Sequence, residues 1–377
     1  MAKERGMNFQ ERLADICARM RDEKLELLVA LHDGAHFIEK PNPVMVIAGF
    51  KAIGPSAAVL HPDGACDLVV TPAWDAARAA ELFPQARVVP ADDLVAGLIG
   101  AIGNHAGPSA GLVGLAALPS GMASRVTSLL GGARAADAMV FDAARGKTEE
   151  EITSAREAAR IAELGYARLL EIARPGMSED ELALELKMHM KSLGAEDNFL
   201  LLCASAHNRA VQPSTGRKLA QGDIILAEIT PSHLGQLTQI CRTAVVGQPS
   251  QELREKYALV VRAMNEGIAA ARPGVPMAEV CRAINGVLEM QGYGEFCHPP
   301  HIRRRGHGLG FASIRPGDVS LDNSTVLEPG MLFMIHPNQY LPETGYLLCG
   351  EPVLMTATGA EVLTRQQSTL GVVFGRA

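Results

Sequence analysis

The sequence predicts a two-domain α/β protein: an α/β amino-terminal domain over residues 1–145 and a pseudo-two-fold α+β domain over residues 146–377. Three observations predict it. The 377-residue length exceeds what one domain usually holds. Residues 1–145 alternate helix-like and strand-like runs with short connections. The second part repeats itself. ARPGMSEDELALELKMHMKSLG, beginning at Ala173, is echoed by ARPGVPMAEVCRAINGVLEMQG, beginning at Ala271. A strand-like run follows each, and Gly222 stands to Gly330 as Glu228 stands to His336, at one common offset. A duplicated helix–strand unit brings Glu228 and His336 towards a shared centre.

Taken in order, residues 9–21 have the spacing of an amphipathic helix and 25–31 that of a strand. Further strands are predicted at 44–50, 56–60, 67–71 and 86–89, and helices at 74–82 and 92–102. The glycine-bearing pieces 97–103 and 111–114 lack the strand–turn–helix context of a dinucleotide site and read as loops. A boundary falls at 143–147. Thr148 is placed to cap a charged helix from Glu149 to about Ile172, with Glu151 at the box position and Arg-Pro-Gly after its end. The first helix–strand copy follows, then a helix at 251–271, then the second copy. Residues 327–337 (LEPGMLFMIHP) and 347–356 (LLCGEPVLMT) read as buried strands, and His336 and Glu351 interrupt or edge them. A titratable group on a core strand is costly without a partner, so polar residues converging there mark a candidate site.

The formal charge of −7 argues against a nucleic-acid partner. The short basic run 303–305 reads either as a solvated loop or as a clamp for an anionic group. No run approaches the length of a membrane span, and the charged start lacks the apolar segment of a signal peptide. The seven cysteines are scattered, with no CxxC pair or zinc spacing. Free thiols in a reducing cytoplasm are expected.

Residues 143–364 resemble the pita-bread family of methionine aminopeptidase, aminopeptidase P, prolidase and creatinase. The matching pieces are KTEEEI…AARIA, GDIIL, RTAVVGQPS (242–250), GHGLG (306–310), LEPGMLF and ETGYLLCGEPVLMTATGAEVLT. The first domain is similar to the creatinase/prolidase amino-terminal domain. The family's metallopeptidases hold two metal ions with two Asp, one His and two Glu. By resemblance those positions fall here on Glu228, on Gln239, on His307 or Phe311, on His336, and on Gly350 with Glu351 beside it. That set is short of bridging carboxylates. The resemblance therefore points to the metal-free branch, like creatinase and ectoine hydrolase. It departs from creatinase where an active-site His falls on Val211 and a substrate-binding Glu on Cys241.

His307, between two glycines, is expected to act as a general acid/base; the alternative is a structural His bonded to a backbone carbonyl. His336 and Glu228 read as a His–carboxylate dyad, or as a buried ion pair without chemistry. Glu351 is expected to bind substrate or activate water, or else to form a strand-end salt bridge. Cys241 is either a nucleophile or pocket lining. Gln239 and Arg242 read as polar pocket groups, Phe311 as a pocket wall, and His207 as a stand-in for the family's substrate-contacting His. The resulting expectation is a cytoplasmic homodimer, without cofactor or metal, that hydrolyses a C–N bond (amide, amidine or cyclic amidine) of a small polar metabolite. The alternatives are a metal-dependent Xaa-Pro-type aminopeptidase or dipeptidase, and a non-hydrolytic lyase or inactive binding protein on the same scaffold.

Overall fold

A computed structural model describes residues 8–103, 107–311, 313, 315–366 and 368–374. The chain divides into two compact units, Met1–Glu150 and Glu151–Ala377.

In the first unit the order is α1 (Phe9–Asp22), β1 (Leu27–His32), α2 (Pro43–Ala48), β2 (Ser56–Leu60), β3 (Cys66–Val70), α3 (Ala76–Leu82), β4 (Arg87–Pro90), α4 (Leu94–Ile102), β5 (Ala110–Val113), α5 (Ser120–Leu129), β6 (Arg134–Ala135) and α6 (Asp137–Ala143). One mixed sheet runs β4-β3-β2-β1-β5-β6. Two expectations are corrected here. The apolar run after Asn42 is helix α2, not a strand. Asn42 accepts from the Met45 amide, Pro43 opens the first turn, and Gly49 closes it at φ 63°. The glycine pieces read as loops lie mostly in α4 and β5, where Gly97 and Gly111 give room to Val69 and Leu28.

His32 ends β1 at 1% exposure. Its Nδ1 accepts from the Gly34 amide at 3.1 Å, while its Nε2 has no partner. Burial first, then the neighbouring His36, pulls its pKa down to about 4; Asp33 opposes and Lys40 adds to the effect. The folded pKa lies below the unfolded value of 6.5, so the unfolded chain binds the extra proton. The neutral ring's contribution is therefore complete above pH 6.5 and is lost as pH falls towards 4. The loss amounts to about 3 kcal/mol over that window. Urea unfolding of the first unit at several pH values checks this, and His32→Gln should flatten the slope. An unchanged slope in that variant would assign the acid lability to other groups.

In the second unit the order is α7 (Glu149–Ile172), α8 (Glu179–Ser192), β7 (Asn198–Ser205), β8 (Ile224–His233), β9 (Gln236–Leu237), β10 (Ile240–Val246), α9 (Gln251–Ala270), α10 (Met277–Glu289), β11 (Gly306–Gly308), β12 (Leu332–Ile335), β13 (Gln339–Leu341), β14 (Gly345–Leu347), β15 (Glu351–Thr356), β16 (Gly359–Val362) and β17 (Gly371–Val373). Ser178 and Glu181 form a capping box on α8, and Ser250 caps α9.

Two larger sheets result, β17-β10-β8-β7 with β9 beside β8, and β11-β12-β15-β16, and β13 and β14 form a separate two-stranded sheet. Strand alternation assigns their faces. Ile225, Ala227 and Ile229 of β8 pack with Leu169 of α7 and Leu186 and Met190 of α8 in one core. Glu228 and Thr230 therefore point to the opposite face. On β12, Ile335 lies against Gly267 of α9, a position where an added Cβ would fall 2.6 Å from Ile284 of α10. Met334 and His336 thus point away from those helices. Each helix pair covers the outer face of one sheet, and polar residues collect on the inner faces. The duplication expected from the sequence is this arrangement. The sheets are stitched by a backbone bridge: Cys241 and Gly350 exchange N–H···O bonds of 3.2 and 3.1 Å.

Candidate active site

Two hydrogen-bonded groups occupy the inner faces. In the first, the half-buried Glu228 stands opposite Cys241 across the β8–β10 ladder. Its Oε1 accepts from Asn338 Nδ2 at 3.1 Å and from Cys241 Sγ at 3.8 Å. Asn338 also accepts from the Cys349 amide at 3.3 Å, and its backbone has φ 35°. Asn tolerates that left-handed conformation better than most residues. Sequence reasoning passed over Asn338; the Pro-Asn step after His336 was its available signal. Burial, then the Glu228 charge, pushes the Cys241 thiol well above its ordinary range. So held, the thiol stays protonated at neutral pH, a poor nucleophile that donates to Glu228.

In the second group, Gln239 Nε2 donates to Thr230 Oγ1 at 3.0 Å, and Gln239 Oε1 faces His307 Nε2 at 3.1 Å. His307 Nδ1 faces the Gly308 carbonyl at 2.9 Å. Thr230 lies two residues from Glu228 on the same face of β8, which joins the two groups. His307 sits on β11 opposite Met334, with its ring centroid 5.3 Å from that of His336. The glycines around it answer to protein rather than ligand: a Cβ at Gly306 would fall 1.9 Å from the Met334 carbonyl oxygen, and one at Gly308 would fall 1.9 Å from that of Ser313.

The expected Glu228–His336 dyad is corrected. No hydrogen bond joins the two side chains among the described residues, and His336 Nδ1 has no partner. Burial, followed by His307 and Arg304, holds His336 well below its ordinary range, so the ring is neutral. Glu351 and Arg242 are corrected together. They pair at 2.9 Å with both side chains 3% exposed. Glu351 also accepts from Thr364 Oγ1 at 2.7 Å and from the Ser368 hydroxyl, and Arg242 donates to the Gly350 and Cys241 carbonyls at 2.7 and 3.0 Å. Both are committed to each other and to the bridge between the sheets. His207 is exposed, bonded to the Pro342 carbonyl at 3.0 Å and edge-on to Tyr340. Phe311 is buried next to Gly310, whose amide donates to Leu237 at 3.0 Å.

The chemistry of the donors decides whether metal ions fit. Among the described residues, no group of three or more His, Cys, Asp or Glu side chains is placed to hold one. Gln239 offers an amide, and Glu351 is consumed by Arg242. At Gly350 a Cβ would fall 2.6 Å from His336 Cβ and 3.0 Å from the Ile335 carbonyl oxygen, so no carboxylate side chain can stand there. A dinuclear centre needs carboxylates that bridge two ions. The residues present do not fit one.

The fold and the inner-face cluster place the protein among the two-domain pita-bread proteins. The sequence model of metallopeptidase family M24 matches residues 153–359, and the chain belongs to that family. It is 30% identical over 227 residues to the uncharacterized peptidase YqhT of Bacillus subtilis, covering 59% of this chain and 63% of that protein. It is likewise 30% identical over 227 residues to the Xaa-Pro dipeptidase of Pyrococcus furiosus, covering 59% and 64%. The chain thus spans just under two thirds of the length of these relatives. Among solved structures, the prolidase from Pyrococcus horikoshii OT3 superposes with a TM-score of 0.82 at 22% identity, covering 95% of this chain and 99% of that one. The X-Pro aminopeptidase from Thermotoga maritima gives 0.81 at 20% identity, covering 97% and 100%. At such identities these structures establish the fold.

The comparisons overturn the expected metal-independent hydrolase of amides or amidines. The matched family is one of metallopeptidases, and the relatives are peptidases by name. They favour the Xaa-Pro alternative. Among the described residues, no helix is long and apolar enough to cross a membrane.

Proposed function

We propose that the protein is a peptidase-type hydrolase that cleaves the amide bond of a small dipeptide, with Xaa-Pro dipeptides as the first candidates. The observation that carries this reading is the family match over 153–359, which takes in Glu228, Gln239, His307 and His336 together. The name of the Pyrococcus furiosus relative supplies the substrate class.

In this reading Glu228, the half-buried inner-face carboxylate that accepts from Asn338 and Cys241, takes the proton of the attacking water. His307 gives a proton to the departing amine nitrogen. Both its ring nitrogens face oxygens, the arrangement of a ring that donates at both positions. Neutral His336 walls the site beside it. Phe311 and His207 remain proposed substrate contacts, and the active form is proposed to be a homodimer. No step is assigned to a metal ion, since the donor set does not fit a dinuclear centre.

The test follows proline release from a panel of Xaa-Pro dipeptides, with added Mn, Co or Zn ions and, separately, with chelator. Release in either condition is the expected result. No release from any Xaa-Pro dipeptide in either condition would sink the substrate assignment.

A further inference from the structure

The basic run 303–305 lies beside the cluster described above, where Arg304 helps hold His336 neutral, and its three arginines differ in setting. Arg303 is exposed, and Arg304 is half-buried with Asp318 at 3.1 Å. Arg305 is 1% exposed. Its Nε donates to Asn285 Oδ1 at 2.7 Å, and its Nη1 donates to the Pro337 carbonyl at 2.5 Å and to Gln339 Oε1 at 3.0 Å. Its Nη2 has no hydrogen-bond partner. Every acceptor named is neutral. A guanidinium cannot discharge by losing its proton, so burying it without a counter-charge is costly. The thiols beside it, Cys281 and Cys297, supply none. Burial pushes both up, Cys281 to about 11, so they stay protonated at neutral pH.

Arg305 lines a cavity of about 170 Å³ together with Arg303, Arg304, Asn285 and the two thiols. Across from three arginines, the lining holds one carboxylate, the exposed Asp322, which already accepts from the Ser320 hydroxyl. The cavity is smaller than the roughly 300 Å³ at which pockets for drug-sized ligands begin. We infer that this cavity is an anion site that takes one small oxyanion, a phosphate or a carboxylate, as the missing counter-charge of Arg305. The site also bears on the catalytic cluster. The Arg305 carbonyl accepts from the His336 amide at 2.8 Å, and its guanidinium holds the next carbonyl, that of Pro337. Occupancy therefore stiffens the segment that carries His336.

The test reads binding rather than turnover, so it stands apart from the peptidase proposal. The full chain is titrated calorimetrically with inorganic phosphate and, separately, with acetate, in chloride buffer of constant ionic strength. Saturable one-to-one binding of at least one of them is expected, and which one binds identifies the oxyanion as tetrahedral or planar. Ile302→Trp, which fills the cavity from a half-buried lining position, should abolish it. Arg303→Gln should weaken it by about two- to fivefold, the worth of one exposed charge, and this exposed change keeps the test open if the Trp variant fails to fold. Absence of saturable binding by both anions, or affinity unchanged in a folded Ile302→Trp protein, overturns the inference.

Discussion

Replacing Glu228 by Gln is expected to lower kcat/KM on a cleaved Xaa-Pro dipeptide by about 10²- to 10⁴-fold, the usual range for a lost general base. The substitution keeps the side-chain shape, and its amide oxygen can still accept from Asn338. Glu228 is only half-buried, so the fold should survive. What disappears is the proton acceptor between the two sheets. The loss should fall on kcat and kcat/KM alike, because the proton moves only on the way to the transition state. Steady-state kinetics with a circular-dichroism check of folding decides it. A change below about threefold would place the base elsewhere and leave Glu228 as packing for Cys241 and Asn338.

Much of the second unit was legible because duplication leaves a regular trace. The matching offsets of Gly222 and Gly330, and of Glu228 and His336, locate two strands and the faces they share. The cap residues Ser178 and Ser250 announce their helices locally. The α2 segment was misread because a short apolar run fits a buried strand as well as a buried helix; its Asn42-Pro43 start held the distinction.

The site was less legible, since its contacts join distant strands. Gln239 and His307 meet only after the two sheets have formed, and so do Arg242 and Glu351. His336 and Gly350 show the same limit from the packing side. His336 Cβ, Met334 Cε and the Ile335 carbonyl oxygen crowd the space that any side chain at 350 would need, a relation that position-by-position reading does not reveal. Counting lost metal donors pointed towards a metal-free relative, whereas similarity along the whole stretch points to peptidases. Donor positions change one at a time, while the strands that carry them keep their pattern.

Truncating Glu351 to Ala is expected to destabilise the second unit by about 3–5 kcal/mol, the cost of leaving a buried partner charge uncompensated. Arg242 would keep its bonds to the Gly350 and Cys241 carbonyls but lose its counter-ion at 3% exposure. The hydroxyls of Thr364 and Ser368 would lose their acceptor as well. Arg242→Met alone should cost a similar amount, because it strands the carboxylate and frees two buried carbonyls. The double variant should cost much less than the sum of the two, since neither charge is then left unpaired. Denaturant unfolding of the four proteins, followed through the transition of the second unit, measures that coupling. If Glu351→Ala instead leaves stability within about 1 kcal/mol and abolishes turnover, well below the cost of breaking a buried pair, the carboxylate reaches substrate. The catalytic role suggested by its place at the edge of an apolar strand would then be restored.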